Sequence, residues 1–178
     1  MQNQTNEIHH LPLAAIIHDD DDHSVEVLLT QLAKQLKQEN YRIAGLTHYQ
    51  SQYPNGNKSM FLCDLASGQQ YEITEDLGTE SKTCSLNPQA VTQASEALRK
   101  AFDDQAQFIF INRFGALEAE GKGFAQEFAA FVSIGTPVIT AVAKRHVPAW
   151  DAFSGGLYTP LAKNLEQAHA WSVQQLRP

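Results

Sequence analysis

Uninterrupted apolar runs punctuate the chain. Leu11 to Ile17, Phe108 to Ile111 and Val138 to Val142 each lack the alternating polar residues of a half-exposed strand. Such runs read as strands buried on both faces, as in a parallel sheet covered by helices. Tyr41 to Thr47 reads as another strand, with Gly45 allowing a neighbouring backbone to come close. Between these runs the period lengthens. Val25, Leu28, Leu29, Leu32 and Leu36 fall on one helical face, with Ser24 placed to cap it. Asn87-Pro88 opens a second helix with Val91, Ala94, Leu98 and Phe102 inward. A third carries Phe124, Phe128, Phe131 and Val132 and ends at Gly135-Thr136-Pro137. Val147 to Phe153 suggests a short helix bearing Trp150, and Asn164 caps a last helix with Leu165, Ala168 and Trp171. Met60 to Leu65 and Gln70 to Thr74 flank the turn Ala66-Ser67-Gly68-Gln69 and read as an antiparallel hairpin. Glu75 to Leu86 shows no regular period.

The order strand–helix–strand–hairpin–helix–strand–helix–strand–helix predicts an α/β protein: a three-layer α/β/α sandwich around a mostly parallel sheet with a β-hairpin insertion. Residues 1–10 read as a flexible polar tail and 11–178 as a single domain. Parallel strands share an end, so the loops after Ile17, Ile111 and Val142 should meet on one rim.

Charge narrows the partners. Thirteen Lys and Arg against 20 Asp and Glu leave a net charge of −7, which argues against nucleic-acid binding. No apolar run approaches the ~18–20 residues of a membrane helix, so no membrane insertion is expected and a cytoplasmic location is the default. Two cysteines, Cys63 and Cys84, are too few for a disulfide scaffold and read as ordinary thiols.

Candidate chemistry gathers at the expected rim. The apolar strand 108–111 breaks into Asn112-Arg113, and ligands of open α/β sheets bind outside the carboxyl ends of strands. Arg113, with Lys144 and Arg145 after the next strand, forms either an anion site or an ion pair with Glu118, Glu120 or the aspartate run. That run is His18-Asp19-Asp20-Asp21-Asp22-His23, between the first strand and the first helix. Asp19, Asp22 and His23 suit a divalent cation by residue type, while an exposed charge run is ordinarily solvated loop. Glu118 and Glu120 are either an acid/base pair or structural charges. His48 and Tyr49 follow the second strand and can line a pocket. Trp150, Phe153 and Trp171 read as core.

Strand, loop, Ser24 and helix have the layout of a phosphate-binding P-loop. With Ser24 at the last position, Ile17 and Asp22 stand at the two glycines and His23 at the lysine. Only the hydroxyl survives, and the glycine amides and lysine that cradle phosphate are missing.

Four segments then fall in a telling order: Arg42-Ile43-Ala44-Gly45-Leu46, Asp64-Leu65-Ala66-Ser67-Gly68, Asn112-Arg113-Phe114-Gly115-Ala116-Leu117-Glu118 and Pro137-Val138-Ile139-Thr140-Ala141-Val142. The series resembles the archaeal/thermophile-type P-loop nucleoside-triphosphatases over most of residues 11–146. It resembles still more closely a bacterial domain-of-unknown-function family related to those enzymes and often found with molybdate-uptake genes. That family typically keeps Asn-Arg-Phe-Gly, the Glu118 and Glu120 pair and the Trp150–Phe153 segment. The resemblance implies a P-loop-NTPase-like fold. Against the hydrolases, Asn112 stands where an aspartate would help hold Mg²⁺, and Arg113 where a glutamate would activate water. An always-protonated guanidinium cannot act as a general base.

The expectation is a non-hydrolytic P-loop-derived binding or accessory protein with no catalytic residue. Its ligand would be a small anion (molybdate, phosphate or nucleotide) or a partner, with molybdenum metabolism as the context the resemblance implies. Ser24, Asn112, Arg113, Lys144 and Arg145 are the expected ligand contacts. The alternatives are a nucleoside triphosphatase using a divalent cation at the aspartate loop, and a purely structural interaction protein.

Overall fold

A computed structural model describes residues 10–75 and 85–177. Most of the expected 1–10 tail, together with Gly78 and Cys84, lies outside these residues. In chain order the elements are β1 (Leu13–His18), α1 (Ser24–Gln38), β2 (Ile43–Gln52), β3 (Lys58–Asp64), β4 (Gln70–Glu72), β5 (Thr74–Glu75), β6 (Ser85–Leu86) and α2 (Pro88–Asp103). Then follow β7 (Phe108–Ile111), α3 (Ala116–Ala119), α4 (Ala125–Ser133), β8 (Val138–Ala143), α5 (Val147–Ser154), β9 (Thr159–Leu161) and α6 (Leu165–Leu176), with a 3₁₀ turn at Lys144–His146.

Seven strands form one sheet in the order β4-β3-β2-β7-β8-β1-β9. The five from β2 to β9 are parallel, and β3 and β4 add on antiparallel as the inserted hairpin. Alternation of side chains along the buried strands splits the core in two. Ala14, Ile16, Phe108, Phe110 and Ile139 pack under α1 and α6. Leu13, Ala15, Ile109, Ile111 and Val142 pack under α2, α4 and α5. The result is the expected α/β/α sandwich around a mostly parallel sheet. Its aromatic weight is on the second side, where Phe114, Phe128 and Trp150 are fully buried in mutual edge contacts. Each such ring contributes about 1.5–3 kcal/mol by burial.

Gly45 has the role its position suggested. It holds φ +107°, and a Cβ there would sit 2.0 Å from the Phe110 carbonyl oxygen. Only hydrogen lets β2 and β7 close at that point.

Several boundaries differ from expectation. The strand from Tyr41 to Thr47 starts at Ile43 and runs on to Gln52, because its polar second half pairs with β3, from Leu46 opposite Asp64 to Gln52 opposite Lys58. The edge strand β9 was not foreseen; it contains Pro160, whose missing N–H is tolerated at an edge. Ser24 is the first helical residue of α1, not its cap; the cap position is His23, which makes no side-chain capping bond. Asn87 and Asn164 do cap, accepting from Gln89 and Ala90 amides and from the Gln167 amide. Phe153, expected in the core, is 37% exposed, although it stacks on Trp150. Cys63 is half-buried and free, and burial pushes its thiol up. No described helix is long and apolar enough to cross a membrane.

Candidate functional site

Because β1, β7 and β8 run parallel, their carboxyl ends share a rim. The loop after β1 and the turn after β8 touch there: Lys144 Nζ lies 2.6 Å from Asp19 Oδ1, and the Arg145 amide donates to Asp20 Oδ1 at 2.9 Å. The third carboxylate, Asp22, accepts from the Ser24 amide at 2.9 Å and the Ser24 hydroxyl at 2.6 Å. It also accepts from Lys163, which in turn donates to Ser24 Oγ at 2.8 Å. Lys163, then the two Ser24 donors, hold the Asp22 carboxyl far below the usual carboxylate range. Lys144 likewise lowers Asp19.

Three of the four aspartates of the loop, Asp19, Asp20 and Asp22, are therefore matched by Lys144, Arg145 and Lys163. Of the residues expected to hold a cation, Asp19 and Asp22 pair with Lys144 and Lys163, and His23 Nδ1 lies 3.9 Å from Glu26. Among the described residues no group of three or more His, Cys, Asp or Glu is placed to hold a metal ion. A divalent ion at these carboxylates would have to compete with the ammonium groups that already pair with them.

Arg113 is built differently. It carries φ +80°, in the left-handed region, and it does not close a helix as Asn40 and Gln105 do at the ends of α1 and α2. A non-glycine residue there is strained, and such strain persists where the surroundings over-determine it. Its guanidinium donates through Nη2 to Glu26 Oε1. Glu26 comes from the first turn of α1, and its side chain is 5% exposed against 36% for Arg113. His48 Nδ1 lies 3.3 Å from the same carboxylate oxygen and His23 Nδ1 3.9 Å away. Glu26 Oε2 is buried and has no partner among the described residues. Burial raises the Glu26 carboxyl, but His48 and Arg113 outweigh it and hold the group below its ordinary value. Glu26 is thus an ionised carboxylate inside a polar knot.

The ion-pair partners expected for Arg113 were Glu118, Glu120 and the aspartates; the partner is Glu26. Glu118 is instead turned inward, accepting from the Gly115 and Phe124 amides at 3.0 Å each, and so clasps the segment that contains α3. Gly123 makes room for it: a Cβ there would lie 2.2 Å from Glu118 Oε1. Glu120 pairs in solvent with Lys122 at 2.7 Å. The two glutamates do not act as a pair.

Beside Arg113 opens a cavity of about 200 Å³. Asn112, Arg113 and His48 line its polar end, Glu118 also borders it, and Met60, Leu62, Ile73 and Phe124 are among its apolar walls. Asn112 is 6% exposed, and among the described residues its Oδ1 has no partner. Of the five expected ligand contacts, then, Asn112 and Arg113 stand together at a cavity. Ser24, Lys144 and Arg145 belong to the internally paired loop cluster. His48 lines the pocket, as its place after the second strand allowed. Glu26 and Lys163 were missed. Glu26 had a signal: it lies three residues before Leu29 and so shares the buried helical stripe, where a lone carboxylate needs a partner. Lys163 had none, since its contact spans 139 residues.

A family profile matches residues 13–171, nearly the whole chain. The chain belongs to the family described as "Protein of unknown function (DUF2478)". This DUF2478 chain is also 31% identical over 160 residues to the "Molybdenum import ATP-binding protein ModC 2" of Bradyrhizobium diazoefficiens. The match covers 89% of the chain but 18% of that protein, so the chain spans under a fifth of the relative's length. Among solved structures, a human cancer-related nucleoside triphosphatase superposes with a TM-score of 0.70 at 14% identity, covering 93% of this chain and 99% of the other. THEP1 from the hyperthermophile Aquifex aeolicus superposes at 0.62 with 15% identity, covering 90% and 96%. These likenesses establish the P-loop nucleoside-triphosphatase fold.

Proposed function

We propose that this domain is a binding or accessory protein that keeps the P-loop fold, recognises a small oxyanion through Arg113 and Asn112, and does not hydrolyse nucleotides. The observation that carries the reading is Arg113 itself. A strained backbone holds a half-exposed guanidinium at the sheet's carboxyl rim, where nucleotide hydrolases of this fold keep a proton acceptor. Among the described residues Glu26 is its one hydrogen-bond partner. The remaining N–H donors of the fork are open to a planar or tetrahedral oxyanion.

Two features support the absence of hydrolysis. The loop between β1 and α1 has neither glycine nor lysine. In addition, the Asp22 carboxylate already takes the Ser24 amide, a donor that a P-loop would offer to phosphate. Bringing a triphosphate there means displacing an anion held by Lys163. The shared segment with a molybdenum import protein makes molybdate the first anion to test, ahead of phosphate and nucleotide.

The test is differential scanning fluorimetry with sodium molybdate, phosphate and MgATP on wild type and Arg113→Ala. The reading expects a concentration-dependent rise in Tm with at least one anion, lost in the variant. A rise that survives the substitution removes Arg113 from the site. Phosphate release from MgATP or MgGTP above about 0.1 s⁻¹ overturns the non-hydrolytic part, since that rate approaches ordinary enzyme turnover.

A further inference from the structure

We infer that the anion recognised at Arg113 is the acid group of a small organic molecule whose apolar body fills the adjoining cavity. The inference rests on the proposed anion role of Arg113 and narrows it. A bare inorganic oxyanion would occupy the polar end and leave the rest of a cavity of about 200 Å³ unused. Most of the remaining wall is apolar, Met60, Leu62, Ile73, Val91 and Phe124 among it, and penalises an oxyanion by desolvation; the Glu118 carboxylate that also lines the cavity is taken up by the Gly115 and Phe124 amides and offers an oxyanion nothing. The same walls favour a hydrocarbon or aromatic group, which leaves water on entry.

The polar end sets the head group. Arg113 supplies the cationic fork. Asn112, buried to 6% exposure, presents an Oδ1 with no partner among the described residues. A buried acceptor left unpaired costs free energy, so the site asks for a donor. A hydroxyl or amine next to the acid group supplies it. The ligand class is therefore an aromatic or branched aliphatic acid with a hydroxyl or amine beside its carboxylate or phosphate. Its body is small, because the cavity is below the roughly 300–1,000 Å³ of sites for drug-sized molecules. The Glu26 carboxylate behind Arg113 holds the fork in place without neutralising all of its donors.

The test uses calorimetric titration of the full chain with phenylacetate, mandelate and phenyl phosphate, and with molybdate alongside. Two variants separate the two halves of the site. Arg113→Ala removes the cation. Ala116→Phe puts a ring at the cavity mouth from an exposed position at the start of α3, so it leaves the core untouched. The expected result is binding of the organic acids to wild type, with mandelate, whose hydroxyl on the neighbouring carbon can donate to Asn112, tighter than phenylacetate. Each variant should weaken it by about tenfold or more. Amide shifts at Asn112, Arg113 and Phe124 in a ¹H–¹⁵N spectrum should track the titration. No organic-acid binding up to about 10 mM, far weaker than a specific site gives, overturns the inference. So does binding that Ala116→Phe leaves unchanged. If molybdate alone binds, needing Arg113 but indifferent to Ala116→Phe, this inference falls and the oxyanion reading stands. If no anion binds, both fall.

Discussion

Replacing Arg113 by alanine strips a buried carboxylate of its cation, and the cost can be worked from the geometry. The Glu26 side chain is 5% exposed and that of Arg113 36%. Unit charges about 4 Å apart attract by about 4 kcal/mol at the effective dielectric near a protein surface. Solvent reaching the guanidinium screens part of that, and His48 remains 3.3 Å from Glu26. A loss of about 1–3 kcal/mol remains, below the full penalty of breaking a buried pair. For a chain of this size each kcal/mol moves Tm by about 2–4 °C. Glu26→Gln in the Arg113→Ala background removes the orphaned charge and should recover part of the loss. Urea unfolding of wild type, both single variants and the double variant should give a coupling of about 1–3 kcal/mol at pH 7. The sign with pH follows from Glu26, whose carboxyl is held below its ordinary 4.5 in the folded chain. A carboxyl depressed on folding stabilises above its unfolded value and loses that contribution as pH falls through its folded value. The coupling should therefore be full at neutrality and shrink below pH 4.5. Arg113→Gly separates charge from backbone. It loses the same pair but relieves the strain of φ +80°, so it should be about 1 kcal/mol more stable than Arg113→Ala. A coupling within about 0.5 kcal/mol of zero at pH 7 refutes the pairing as an energetic feature.

Other substitutions probe the frame around the site. Glu118→Ala removes the acceptor for the Gly115 and Phe124 amides and should cost about 2–4 kcal/mol in urea unfolding, with the amides near α3 losing hydrogen-exchange protection. Gly45→Ala drives a methyl into the Phe110 carbonyl and should cost more than about 3 kcal/mol, or prevent folding, as read from the urea midpoint. Lys163→Ala removes the largest influence on Asp22, so its carboxyl should titrate closer to the ordinary 3.8 in a ¹³C-detected pH series while the fold persists.

How much of this was legible in the residues depends on the range of the contact. Buried strands announce themselves because a strand covered on both faces has no polar alternation; Phe108 to Ile111 and Val138 to Val142 needed nothing more, the second running one residue further in the structure. Gly45 was readable for the same local reason. The second half of β2 was not, because Tyr49 to Gln52 is polar and its pairing with β3 is decided by tertiary closure. β9 is three residues long with a proline inside, below what periodicity can resolve. At the site, the position of Arg113 at a strand end was evident, but its partner was not. Glu26 is distant in sequence, and the nearer glutamates proved to be committed elsewhere, Glu118 to backbone amides and Glu120 to Lys122. Cations and carboxylates can be counted along a chain, but which of them pair depends on where the elements bring them.

The two ends of the rim obey one electrostatic rule with opposite outcomes. A helix start offers amides and a partial positive charge, and something anionic must meet them. At α1 the anion is the chain's own: Asp22 takes the Ser24 amide and hydroxyl, Lys163 completes the shell, and Lys144 and Arg145 settle the neighbouring aspartates. An external phosphate gains little where that demand is already met. At the end of β7 the balance is left open. Arg113 brings five donors, of which Glu26 engages one group, and Asn112 brings an acceptor that engages none of the described residues. If this rim binds anything, the unmet demand, and so the ligand, is at Arg113 and not at the loop that gives P-loop proteins their name.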